Sequence, residues 1–502
     1  MTPQFVNKVV IAGRDAACWL TANALLQAFG PTGLAVEVVE LPSRLSPHDV
    51  YATLPALEAF HSMLGLNEYE IMKTASGAYS LGQSFANFSP SGPAFFHPYG
   101  AHGKALDRLP FIQLWLRAHH SGMKVDFEDF SFNAAAAKLG RFFIPNDQTD
   151  MFARSDYAYH LKAAPYVQSL KSTALRRGAS VRTSRHIEAI RNDQTGEIAA
   201  LNLSDGSQVS GDLFIDATGP DSLLLGGAQN VGVESWRTWF GCNRIITASA
   251  AALRPLPPYS QVRALKSGCL HIAPLQDMTG LTFAFDSTLA SDDEALNIAA
   301  MASQLRLRAD AVADTLEPGR RSVAWAGNVV AIGESAANFD PIDSLGLHAI
   351  HQSLVHLIGL FPVNGSEGTE RDEYNRIMAS HFERLRDFQI SHFKLNQKVG
   401  DAFWDAARTE PPPSHLAHKI EMFKARALMP MYDDETFEID SWLSSFLGHG
   451  LTPEAYDPLV EMLPDDQLIP LFQRMLGYIK DQVQDMTSHD AYLELHASKN
   501  YA

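Results

Sequence analysis

The sequence predicts an α/β fold: a parallel sheet founded on a β-α-β unit, a β-rich middle and a helical C-terminal region. Three observations predict it. An apolar run at residues 9–13, "VVIAG", leads into the helix-like "ACWLTANALLQAFG" and then the alternating "LAVEVVELP", whose strand ends at Glu40. Together these make a β-α-β unit of about 30 residues. Residues 327–361, "GNVVAIGESAANFDPIDSLGLHAIHQSLVHLIGLF", read as strand, Gly-rich loop and long helix. Between the two lie alternating stretches broken by turn residues, the mark of antiparallel strands.

In chain order, residues 6–12 read as a strand, 16–29 as a helix and 34–42 as a second strand. Residues 76–103, rich in Gly, Ser, Pro and aromatics, read as loops and short strands over a cleft. A helix carrying Leu161, Tyr166, Leu170 and Leu175 follows. A meander then runs to Gly219, its strands separated by "DQTGE" and "SDGS". Residues 262–286 alternate again. Beyond 361 the chain reads as helical, broken at "NGSEGTE" (364–370) and "TEPPPSH" (409–415).

Composition narrows the class. Of 502 residues, 46% are hydrophobic and 19% charged, an ordinary balance for a globular protein. The net charge of −17, with 57 acidic against 40 basic residues and no basic run of five, argues against nucleic acid as a partner. The N-terminus has no signal-peptide pattern, and no apolar stretch approaches the roughly 18 residues of a membrane span. Cys18, Cys242 and Cys269 are widely spaced and form no CxxC pair, so neither a disulfide framework nor a zinc site is expected. His348 and His351 share a helix face but lack the companions of a metal site. The expectation is a cytoplasmic protein without metal or membrane.

The loop between the first strand and helix is the first candidate site. A dinucleotide-binding turn has the form G-x-G-x-x-G, in which the second glycine lets backbone approach a pyrophosphate. This chain has Gly13, then Asp15 and Cys18 in the second and third glycine places. Asp15 brings a carboxylate toward phosphate, and Arg14 offers an offsetting guanidinium. The cradle expected here is Gly13, Arg14, Asp15 and Ala16, with Glu40, 27 positions after Gly13, placed for a ribose contact.

The pieces in their order resemble one family, the flavin-dependent tryptophan halogenases, which share a fold with flavin monooxygenases. The likeness runs through the opening β-α-β, "YATLPALEAFHSMLGLNEYEIMKTASGAYSLGQSF", "YAYHLKAAPYVQSL", "GDLFIDATG", "PLQDMTGLTFAFDSTLASDDEA", "NVVAIGESAANFDPIDSLGLHAIHQSL" and "MYDDETFEIDSWLSSFLGHGLTPEAYDPL". It implies an FAD/NAD(P)-binding Rossmann-like flavoprotein fold with a β-sheet substrate region. Residues 1–360 would form the FAD module with interleaved substrate-pocket segments, and 361–502 a mainly helical region. It also implies FAD reduced by a separate reductase, a small aromatic substrate, and oxidised halide travelling through a tunnel to that substrate. Asp216 and Gly219 in "IDATG", Gly333 and Glu334 in "AIGES", and Gly346 keep the family's form and are expected at the flavin.

The chain also departs from the family. Ser80, in "YSLG", stands where the resemblance expects the catalytic lysine, and an uncharged hydroxyl cannot carry an electrophilic halogen as an amine does. The W-x-W-x-I-P signature reads "CLHIAP", so Cys269 and His271 replace the tryptophans, Ala273 the isoleucine, and Pro274 remains. Asp343 in "PIDSLG" matches the family's catalytic acid, one methylene shorter, and Leu345 replaces the threonine beside the halide. The "GVGEAT" loop reads "HDVYAT" at 48–53. The catalytic candidates are therefore Asp343, Ser80 and His271, the last as a new general base or a half-buried strand histidine. The expected function is an FAD-dependent oxidoreductase of this family acting on an indole-like substrate by oxygenation or another non-standard reaction. The alternatives are a catalytically silent partner or scaffold, in a homo- or heterodimer, and a true halogenase.

Overall fold

The computed structural model describes residues 6–90, 92–362 and 368–498. Most of the break expected at 364–370 thus lies outside the described residues. The chain divides into two compact units, each assembled from three separate segments. The first comprises Met1–Ala75, Leu161–Thr238 and Leu316–Glu383, the second Ser76–His160, Trp239–Thr315 and Arg384–Ala502.

The first unit is built on a six-stranded sheet. Its order is Trp325–Ala326, Val329–Ala331, Leu213–Ala217, Lys8–Gly13 (β1), Ala35–Glu40 (β2) and Ser180–Thr183. All neighbours are parallel except the first pair. Val9, Val10, Ile11 and Ala12 are fully buried, as a run of β-branched residues covered on both faces should be. Between β1 and β2 runs the helix Asp15–Phe29 (α1), ten of whose residues are buried. The helix Ala163–Arg176 lies against it, and Asn23 Nδ2 donates to the Leu170 carbonyl there at 2.9 Å. The helix Gly346–Gly359 packs on it as well. The predicted meander is an antiparallel three-stranded sheet of Ile187–Arg191, Ile198–Leu203 and Gln208–Ser210. Asn192 and Asp205 close its two turns by accepting backbone N–H groups.

The second unit centres on a seven-stranded sheet. Its order is Val312–Thr315, Arg244–Ala251, Met278–Phe285, Gly268–Pro274, Ser260–Leu265, Gly82–Ala86 and Phe95–Pro98. Only Ser260–Leu265 and Gly82–Ala86 run parallel. The central strand Gly268–Pro274 is buried at every position. The helix Asp292–Ser303 packs on the sheet and opens with a complete Ser291/Glu294 capping box. From residue 368 the described chain is helical, and the "TEPPPSH" stretch separates Ala402–Thr409 from Ser414–Arg426. No helix among the described residues is long and apolar enough to cross a membrane.

Candidate functional site

The cradle forms where β1 meets α1, in the first unit. Gly13 pairs with Ala217 across the sheet, and a Cβ at Gly13 would lie 2.6 Å from both the Ala217 Cβ and its carbonyl oxygen. Only glycine fits, so this feature of the fingerprint is kept for a steric reason. Asp15 takes the left-handed conformation, φ +56°, that the missing glycine would adopt freely. Its carboxylate accepts a 2.5 Å hydrogen bond from Ser43 Oγ and one of 3.1 Å from the Arg44 amide. The side chain expected to intrude on the phosphate site is thereby tied to the loop after β2. Cys18, in the third glycine place, is wholly buried in α1, and burial pushes its thiol well above the ordinary range.

Arg14 precedes α1 and makes no side-chain cap to it, so the first amides of the helix face outward from a positive dipole end. Its buried Nε has no hydrogen-bond partner, and burial with the neighbouring Arg44 lowers its pKa. An unsatisfied guanidinium nitrogen beside a helix N-terminus is a site that favours an anion. Arg44 in turn pairs with Asp221. Glu40 lines a small cavity of about 70 Å³ together with Asp15, Trp19 and Ser43, and its carboxylate is held by Lys171 Nζ at 2.6 Å. These residues fit a dinucleotide cofactor.

The later motifs shape the same end of the sheet. Asp216 is fully buried, and its two oxygens accept from Thr218 N and Oγ1, Ser335 Oγ, Ser222 Oγ, and the Leu224 and Leu225 amides. With six donors its carboxylate is saturated, so its part is to fold the loop rather than to touch a ligand. Gly219 at φ +87° donates its N–H to Ser335 Oγ at 3.0 Å. At Gly333, φ +68°, a Cβ would come within 3.1 Å of Ala17 and 3.2 Å of Ile350. Glu334 is exposed, and Gly346 begins its helix in open space.

Asp343 is buried in the turn Pro341–Asp343. Asp340, which the sequence reading passed over, caps that turn by accepting from the Ile342 amide at 3.1 Å. Burial, reinforced by the charge of Asp343, pushes Asp340 up to about 7. The "DPID" spacing was the available signal: two acids in one tight turn sense one another.

Ser80 and His271 belong to the second unit. Ser80 is 1% exposed and its hydroxyl donates to the Gly82 carbonyl at 3.1 Å, a local bond across a strand kink. That bond engages the hydroxyl proton with the backbone. His271 sits on the buried central strand between Val262 and Thr282, and burial, then the neighbouring His160, lowers it to about 3. An imidazole so reluctant to protonate is a weak base near neutrality. His160 was not foreseen, and its Nδ1 donates to the carbonyl of the retained Pro274 at 3.0 Å. No group of three or more His, Cys, Asp or Glu among the described residues is arranged to hold a metal.

A family model described as tryptophan halogenase matches residues 8–465. The chain belongs to the tryptophan halogenase family. Among curated relatives, the tryptophan 7-halogenase KtzQ of Kutzneria sp. (strain 744) is 27% identical, the match covering 97% of this chain and 98% of that protein. Two solved structures are also similar over the full length. BrvH, a flavin-dependent halogenase from Brevundimonas sp. BAL3, is 31% identical with a TM-score of 0.91, covering 98% of this chain and 99% of its own. Xcc4156, a flavin-dependent halogenase from Xanthomonas campestris, is 28% identical with a TM-score of 0.93 at the same coverage. The fold is that of an FAD-binding flavoprotein, and FAD is the family's cofactor.

Proposed function

We propose that this chain is an FAD-dependent halogenase acting in the cytoplasm on an electron-rich, indole-like aromatic, with flavin delivered reduced by a separate reductase. The observation that carries the proposal is the cradle at the start of α1: Gly13 without room for a side chain, Asp15 turned onto Ser43, and Arg14 Nε unsatisfied. Bound FAD supplies the activation of oxygen toward halide. The residues in hand bind and hold protons. Arg14, with its unsatisfied Nε, and the α1 amides would hold the phosphate charge, and Glu40, fixed by Lys171, would hold the ribose. Asp340 keeps a proton near neutrality beside Asp343, the residue in the place of the family's acid. This reading sets aside oxygenation as the first choice, because the relatives similar over the full length are named for halogenation.

One observation favours the second reading, flavin-mediated oxygenation: Ser80 puts no amine where the family's lysine is expected, and its hydroxyl is engaged with Gly82. A single assay separates the two. Purified protein, reductase, FAD, an aromatic panel and bromide or chloride are incubated, and products are weighed by mass spectrometry. Halogen in place of hydrogen supports the proposal, and an added oxygen supports the second reading. No product, under conditions where a lysine-bearing relative turns over, overturns both and leaves the silent partner.

A further inference from the structure

The second unit holds a serine, a histidine and a carboxylate in hydrogen-bonded sequence, and the halogenase chemistry uses none of them. His102 Nδ1 lies 2.9 Å from Asp440 Oδ1, and its Nε2 lies 3.4 Å from Ser444 Oγ. Asp440 and Ser444 are four residues apart on the helix Ile439–Gly448, so they share one face. His102 reaches that face from the chain that follows the strand Phe95–Pro98. The backbone is pinned on both sides of it. The Ala101 amide donates to the Arg154 carbonyl at 2.8 Å, and the Gly103 amide to the Phe130 carbonyl at 3.0 Å. The His102 amide itself donates to Asp440 Oδ1 at 2.9 Å, and the ring stacks on Phe127 with centroids 4.4 Å apart.

These contacts decide which ring nitrogen carries the proton. A carboxylate only accepts, so Nδ1 donates to Asp440, and Nε2 presents its lone pair to the Ser444 hydroxyl. That is the order of nucleophile, base and orienting acid on which acyl transfer depends. The Ser444 hydroxyl also reaches the Asp440 carbonyl, at 2.8 Å, and rotation about its C–O bond turns the proton from that oxygen to Nε2. The 3.4 Å separation suits a site without its reactant, since such bonds tighten when the reactant binds.

His102 and Ser444 both line a groove of about 320 Å³, so the pair meets a space that a small molecule can enter. Asp126 and Glu128 also stand in its lining, and no lysine or arginine does. A cleft of that sign repels an anion and admits a neutral compound. We propose that Ser444 is the nucleophile of a hydrolase site for small neutral carboxylic esters, with His102 as its base and Asp440 as the positioning residue. Ser444 Oγ bonds to the ester carbonyl carbon while its proton passes to His102 Nε2. The bond from that carbon to the alcohol oxygen breaks, and the proton leaves with the alcohol. Water then attacks the acyl-serine and gives a proton to Nε2. The carboxylic acid departs as Ser444 recovers that proton.

The reaction needs no flavin, so its test uses full-length protein without added FAD and is independent of the halogenase reading. The substrate is para-nitrophenyl acetate, followed by release of nitrophenolate. The covalent probe is phenylmethylsulfonyl fluoride, followed by peptide mass mapping. The expected result is a burst of nitrophenolate stoichiometric with the chain, and a sulfonyl group on Ser444. Ser444→Ala should remove the label and slow release by about ten-fold or more, and His102→Gln should leave Ser444 unlabelled. Asp440→Asn, which keeps the shape and removes the charge, should lower kcat about ten-fold at constant KM. The anionic para-nitrophenyl hemisuccinate should react about ten-fold more slowly than the acetate. The peptide map of the unaltered chain decides the question even where a variant fails to fold. Label absent from Ser444, release that persists in Ser444→Ala, labelling of Ser444 that survives His102→Gln, or equal rates for the two esters each overturns the proposal.

Discussion

Position 15 shows how a side chain can replace a glycine without blocking the loop. Asp15 accepts the strain of φ +56° because its carboxylate is paid back by Ser43 and the Arg44 amide. Asp15→Gly relieves the backbone as it loses the bonds and should be near neutral. Asp15→Ala keeps the strain and loses the bonds, so it should cost about 1–2 kcal/mol, read from denaturant midpoints. Ser80 is a simpler case. Ser80→Ala forfeits one hydrogen bond to Gly82 and should cost about 1 kcal/mol, with the product profile of the protein unchanged. A large loss of turnover in Ser80→Ala would show that the hydroxyl does chemistry. The sequence showed both departures from the family pattern, yet not their consequences. Whether a carboxylate points at a phosphate or away from it depends on Ser43 and Arg44, 28 and 29 residues distant.

At the scale of elements the sequence was most legible where periodicity is strong. The β1-α1-β2 unit, the meander and the helix after "AIGES" stand where hydrophobic spacing put them, because a buried parallel strand and a helix covered on all sides need apolar runs. Less legible was the sheet that gathers Gly82–Ala86 and Phe95–Pro98 to Ser260–Leu265, since pairing across some 175 residues leaves no local trace. Missed for the same reason were Lys171 on Glu40 and His160 beside His271. The β1 terminus makes the sharpest prediction for an element. Gly13→Ala forces a Cβ to within 2.6 Å of Ala217, so the strand must move off its neighbour. Soluble yield and flavin retention should both fall, whereas Ser291→Ala, at a distant capping box, should cost about 1 kcal/mol and leave flavin binding intact.

Across the whole molecule, buried histidines set the response to acid. Burial lowers His61, His97 and His271 to about 3 and His160, His351 and His489 to about 4. The unfolded chain takes up these protons near pH 6.5 while the native chain refuses them, so stability is lost as pH falls from 6.5 toward 4. Such shifts are each worth on the order of 3–5 kcal/mol, so together they exceed the stability of an ordinary protein. Asp340, raised to about 7, acts with the opposite sign: the native state keeps its proton between pH 4 and 7, which favours folding as pH falls. One group cannot offset six, and circular dichroism should record cooperative unfolding between pH 6 and 4. The cradle stands apart from this background: an altered glycine loop still holds its cofactor. Titrating the purified protein with FAD, beside an Arg14→Ala variant, tests it most directly. Saturable binding that weakens about ten-fold when the unsatisfied guanidinium is removed is the predicted result, and a protein that ignores FAD, or binds it equally well without Arg14, contradicts the account.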